Sequence, residues 1–118
     1  MFKNVEPDWL AESQQEDQWI LTLKAPANLD YFRGHFTDTP VLPGVVQIHW
    51  AIRQAQLRFA APQQVARLEV VKFQQLLRPE EQVQLVFGPL VNNKLSFSYQ
   101  QGERRFSSGR IQFVEHSE

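Results

Sequence analysis

The chain has 118 residues, enough for one domain over residues 1–118, and its 42% hydrophobic content, with nine Phe, three Trp and two Tyr, can fill a core. Its 12 basic residues are balanced by 13 acidic ones, unlike the strongly basic surface of a general nucleic-acid binder. Zero cysteines exclude disulfides, thiolate metal ligands and a cysteine nucleophile, and no apolar run approaches the roughly 20 residues of a membrane helix.

The N-terminus lacks the charged-then-apolar pattern of a signal peptide, so the expected location is the cytoplasm. Residues 1–17 are polar and mixed. Within them Pro7-Asp8-Trp9-Leu10 predicts the start of a short helix, with Asp8 as a weak cap. Residues 19–24 alternate, with Trp19, Leu21 and Leu23 on one side, which predicts a strand. Residues 25–30 break it and lead into a loop. There Gly34 permits a turn that other residues resist, and Pro40 and Pro43 disfavour helix in the residues before them. Pro43 suits the first turn of the helix that follows, where its missing N–H costs little.

From Gly44 to about Ala60 the pattern is helical. Ile48, Ile52, Ala55 and Phe59 fall at spacings of four, three and four and predict one buried stripe. His49 and Arg53 share a face that flanks this stripe. Gly44 leaves the first helical N–H groups, at the positive end of the helix dipole, uncovered by a side chain. The remainder predicts antiparallel strands. Residues 67–77 carry β-branched and apolar residues, and Pro79-Glu80-Glu81 is a turn. Val83, Leu85 and Phe87 alternate with Gln82, Gln84 and Val86, Gly88-Pro89 and Asn92-Asn93 are turn signals, and Leu95, Phe97 and Tyr99 alternate again. Gln101-Gly102-Glu103 closes a hairpin onto a last strand, where Arg105, Ser107, Gly109, Ile111 and Phe113 share one face and Phe106 lies on the other. The tail from Glu115 is expected to fray, and no role is expected for His116. On these residues alone the fold is α+β, a helix packed on an antiparallel sheet.

One stretch is specific. Gly34-His35-Phe36, then Pro40-Val41-Leu42-Pro43-Gly44-Val45, resembles the signature of bacterial 3-hydroxyacyl-[acyl carrier protein] dehydratases, hotdog-fold enzymes of fatty-acid and aryl-polyene synthesis. The loop aligns without a gap. The resemblance continues more weakly through Val71-Lys72-Phe73 and Leu77-Arg78-Pro79 to residues 83–87, and the short aryl-polyene type is the nearest in size and wording. It implies a long central helix wrapped by a curved antiparallel sheet. It also implies a homodimer whose sites lie at the subunit interface, an acyl carrier protein as partner, and no cofactor beyond the substrate's phosphopantetheine arm.

Dehydration needs a base for the C2 proton, an acid for the departing C3 hydroxyl, and a donor for the charge that builds on the thioester carbonyl. A histidine, with an unperturbed pKa of about 6.5, suits the first task, and backbone N–H groups at a helix start suit the third. The resemblance places His35 in the first role and the Gly44 N–H in the third, with Val45, Phe36 and Pro43 beside the substrate. The family's acidic residue falls on His49, so His49 would have to act as the acid, and Arg53 stands where a Gln is usual. Two imidazoles and an arginine together disfavour protonation, so a neutral histidine pair is expected near pH 7. Arg33, beside the signature, is the expected contact for an acidic carrier, with Lys72, Arg104, Arg105 and Arg110 as weaker candidates. Neither His35 nor His49 has a carboxylate at ligand-like spacing, although Asp38 sits in the loop, and no metal site is expected.

Two other functions remain open. A hotdog thioesterase usually needs a carboxylate on the central helix, and residues 44–60 hold none. A non-catalytic acyl-binding partner subunit is favoured by that same missing acid.

Overall fold

The computed structural model describes residues 5–32, 40–59 and 64–114. The elements are β1 (Asp8–Gln15), β2 (Gln18–Lys24), a single 3-10 turn (Asp30–Phe32), α1 (Gly44–Arg58), β3 (Val65–Phe73), β4 (Gln82–Phe87), β5 (Lys94–Gln101) and β6 (Arg104–Phe113). The strands form one sheet in the order β1-β2-β4-β5-β6-β3, each pair antiparallel. This is the predicted α+β arrangement.

Alternation sets which face is apolar. Leu21 pairs with Leu85, Leu85 with Tyr99, Tyr99 with Ser107 and Ser107 with Phe73, so one row crosses five strands. Leu21, Leu85, Tyr99 and Ser107 are buried in that row. A neighbouring row runs Trp19, Phe87, Phe97, Gly109, in which the missing side chain of Gly109 leaves room for the Phe97 ring. Helix α1 lays Val46, Trp50, Ala51 and Ala55 into the same core. Each fully buried Leu or Phe contributes roughly 1.5–3 kcal/mol, so these rows hold helix to sheet.

The helix presents a different stripe from the one expected. Its buried residues are Val46, Gln47, Trp50, Ala51 and Ala55, whereas Ile48, Ile52 and Phe59 pack only partly against the core. The cause is that α1 is covered on two sides. The sheet takes one side. The segment before β1 and the 3-10 turn take another, where Trp50 Nε1 donates to the Val5 carbonyl at 3.0 Å and the Trp50 ring meets Tyr31 edge-on at 6.4 Å.

Two other expectations need correction. Asp8-Trp9-Leu10 starts a strand, not a helix. Asp8 pairs with Lys24 and Trp9 with Leu23, and pairing with β2 overrides a segment whose side chains are all exposed. On β6, Phe106 and Ser107 are both buried while Arg105 is exposed. The register slips there, because Tyr99 pairs with Ser107 but Gln100 pairs with Arg105, and Phe106 is the extra residue of the bulge. The turns match expectation. Asn92 and Asn93 carry φ of 54° and 62°, and Gly102 carries 60°. Glu80, at φ 68°, holds the left-handed position that glycine favours, and its carboxylate accepts from the Ala27 N–H at 2.7 Å. Among the described residues no helix is long and apolar enough to cross a membrane.

Candidate active site

The start of α1 is fixed from both sides. The Leu42 N–H donates to the Leu77 carbonyl at 2.7 Å, tying the Pro-rich segment to the chain leaving β3. Pro43 is the N-cap rather than a residue of the first turn, with φ −60° and ψ 146°. Its carbonyl accepts from the N–H groups of Val46 (3.1 Å) and Gln47 (3.2 Å). Among the described residues no side chain caps this end, so Gly44 and Val45 open the helix with their N–H groups on its positive pole.

Gln47 locks that geometry. It is 3% exposed, and each end of its amide is used. Its Nε2 donates to the Leu42 carbonyl at 3.1 Å, and its Oε1 accepts from the Ser107 hydroxyl at 2.6 Å. Its backbone carbonyl accepts from the Tyr99 hydroxyl at 2.7 Å. Burial pushes the Tyr99 phenol well above its ordinary pKa, so it remains a donor. Buried polar groups satisfied in this way specify one arrangement of helix start, β5 and β6.

A cavity of about 300 Å³ opens at the helix start. Pro43, Gly44 and Val45 line it, together with the apolar side chains of Val41, Leu76 and Phe73. The Phe73 ring lies over Gly44, where a Cβ would sit 2.4 Å from Phe73 Cε1. Beyond the cavity, Val45, His49, Arg53 and Leu57 form an exposed stripe along α1 at intervals of four. Val45 and Leu57 are 72% and 70% exposed, an unusual degree for apolar residues on one helix face. The edge strand β3 adds Leu68, Val70 and Phe73, all exposed.

The structure thus gathers three of the expected site residues, Pro43, Gly44 and Val45, at one cavity, and places His49 one turn beyond Val45 on the exposed stripe. Arg33, His35 and Phe36 lie outside the described residues, as do Asp38 and His116. Of the other basic candidates, Arg104 packs over the Phe106 ring at 4.8 Å and meets Glu81 at 3.3 Å. Arg110 donates to Glu69 at 2.8 Å. That hydrogen bond, with Lys94 and Arg67 also near, holds the Glu69 carboxyl below its usual range. Lys72 and Arg105 border a larger groove of about 560 Å³ on the sheet face turned away from α1. Ser, Gln and apolar side chains line that groove with these cations and no His, Asp or Glu, so the cavity at the helix start, within the signature segment, is the better site. Among the described residues, no three His, Asp or Glu side chains gather as a metal site.

Sequence reading missed Gln47, Tyr99 and Ser107 as the groups that set the helix start. A glutamine in a helix carries no apolar signal. The pairing of Tyr99 with Ser107 appears only once the sheet register is known.

The sequence pattern of the ApeI-like family, described as ApeI dehydratase, matches residues 11–110. No curated protein sequence matches the chain. Among solved structures, the dehydratase heterocomplex ApeI:P from Xenorhabdus doucetiae contains a chain 31% identical, with a TM-score of 0.84 over 93% of this chain and 99% of that one. An uncharacterized protein from Erwinia carotovora subsp. atroseptica is 32% identical, with a TM-score of 0.75 over 96% of this chain and 99% of that one. The dehydratase domain from the CurJ module of curacin polyketide synthase, at 23% identity and a TM-score of 0.71 over 95% of this chain and 43% of that one, shares the fold. The architecture is the hotdog fold.

Proposed function

The chain belongs to the ApeI-like dehydratase family, and from that premise we propose that it converts a 3-hydroxyacyl thioester on an acyl carrier protein to the trans-2-enoyl form, in fatty-acid or aryl-polyene type synthesis. The observation that carries this reading is the apolar cavity at a helix start opened by Gly44, within the segment that bears the family's signature. An acyl thioester fits there with its carbonyl oxygen accepting from the Gly44 N–H.

In this reading His35 takes the proton from C2. The carbonyl holds the charge that develops, the C3–O bond breaks as the C2–C3 double bond forms, and the hydroxyl leaves as water with a proton from the minor imidazolium form of His49, which is left neutral as His35 becomes imidazolium. Each proton has a stated donor and acceptor, and no cofactor enters beyond the pantetheine arm. Arg33 steers the acidic carrier to the mouth. The exposed stripe of Val45, His49, Arg53 and Leu57 is the face that a second copy covers, so that His35 of one subunit meets His49 of its partner.

One sequence feature favours a second reading. Helix α1 carries no Asp or Glu, so the acid expected of the family is missing from this chain. A dissimilar subunit that supplies a carboxylate would complete the site, and the Xenorhabdus neighbour is itself described as a heterocomplex. The same gap disfavours a thioesterase, which would need that carboxylate to activate water.

The test is hydration of a trans-2-enoyl thioester by the purified protein, followed by loss of enoyl absorbance and by release of thiol. Loss of absorbance without thiol supports the homodimeric dehydratase. Thiol release would identify a thioesterase. No turnover on carrier-bound chains of several lengths would favour the partner-subunit reading.

A further inference from the structure

Phe73 approaches Gly44 so closely that a side chain at position 44 would have to displace its ring. A Cβ there would lie 2.4 Å from Phe73 Cε1 and 2.5 Å from Cζ. Phe73 reaches this place by register, since it pairs with Ser107 in the row that faces α1. Three residues earlier the strand bulges between Glu69 and Lys72, and Val70 takes φ 48°, a conformation that a β-branched residue rarely adopts. The bulge aims Phe73 at the helix start. Phe73 is nevertheless 55% exposed. An aromatic ring seated on the helix start and open on its other face, at the mouth of an apolar cavity, has a surface free for a flat ligand.

We propose that Phe73 is a specificity-determining residue of the acyl site, which admits planar, straight chains and excludes those branched at C2. The inference rests on the reading that the thioester carbonyl docks on the Gly44 N–H. An oxygen accepting from that group lies about 3 Å from the nitrogen, which leaves the carbonyl carbon and C2 beside residue 44 and against the Phe73 ring. A trans-2-enoyl group is planar through this region and lies along the ring. A methyl on C2 widens the group where the ring closes on Gly44.

The experiment compares kcat/KM for hydration of trans-2-enoyl and 2-methyl-trans-2-enoyl pantetheine thioesters by the wild type, Phe73→Leu and Phe73→Ala, with thermal melting to verify folding. The expected result is that the preference for the straight chain falls by about tenfold in Phe73→Ala, the scale of one methyl in an apolar pocket, with Phe73→Leu between. The dissociation constants of straight and 2-methyl saturated acyl amides of aminopantetheine provide a readout independent of turnover. If the wild type is inactive, the dehydratase reading fails, yet the same tenfold change in binding preference supports the role of Phe73. An unchanged preference in folded variants, or binding of neither amide by the wild type, would overturn it.

Discussion

Replacing Gln47 by Leu tests whether the buried amide holds the helix start. The change keeps the size of the side chain and removes both halves of its bonding. The Leu42 carbonyl loses its Nε2 donor at 3.1 Å, and the Ser107 hydroxyl, on a residue 1% exposed, loses its acceptor at 2.6 Å. Each buried group left without a partner costs about 1–3 kcal/mol, so Gln47→Leu, which strands two, should lose roughly 2–6 kcal/mol. Ser107→Ala strands only the Oε1 of Gln47 and should cost about 1–2 kcal/mol. The double variant removes the hydroxyl together with its acceptor. Its loss should therefore fall short of the sum of the single losses by at least about 1 kcal/mol. Urea unfolding at fixed protein concentration measures all four proteins. Additive losses, or a Gln47→Leu variant as stable as the wild type, would refute the reasoning. The hydration rate of Gln47→Leu should fall as well, because the Leu42 carbonyl is one end of the segment that sets Gly44.

Glu69 is held below its usual pKa, chiefly by the hydrogen bond from Arg110, so its contribution is present above the unfolded carboxylate value and is lost as pH falls through the folded one. Glu69→Gln should therefore flatten the decline in stability on acidification below about pH 4.5, measured by melting between pH 3 and 7, with little difference between wild type and variant at the acid end. Leu57→Asp places a charge on the exposed stripe of α1, where the native Leu is 70% exposed. If that stripe is the subunit interface, analytical ultracentrifugation should show the variant as the 13.8 kDa chain at concentrations where the wild type is a dimer. A wild type that sediments as a monomer would contradict the interface.

Strands β2, β4, β5 and β6 were legible because they alternate and because glycine, proline and asparagine mark their turns, whereas β3, read over 67–77, runs Val65–Phe73 and does not alternate. Helix α1 was legible in extent, but its buried face was not. Trp50 is buried by contact with both the sheet and Val5, and Gln47 by a network whose partners lie 52 and 60 residues away, neither of which a local period can show. β1 escaped because its sequence, Asp-Trp-Leu-Ala-Glu-Ser-Gln-Gln, has no apolar face, and only its ladder with β2 makes it a strand. The inward turn of Phe106 depends on a bulge, which shifts alternation by one residue without a mark in composition. At the site, proline and glycine disclosed the helix start. The close seat of Phe73 on Gly44 required the register between β3 and β6.

The most direct test of the two-histidine account is complementation between His35→Ala and His49→Ala. Each variant alone should hydrate a trans-2-enoyl thioester at a small fraction of the wild-type rate. If each site takes His35 from one subunit and His49 from the other, an equal mixture that has exchanged subunits is half mixed dimers, each with one intact site. That mixture should recover about a quarter of wild-type activity. Recovery to that level would establish both histidines and their division between subunits. A fully active His49→Ala variant, or a mixture no more active than its components, would contradict the account.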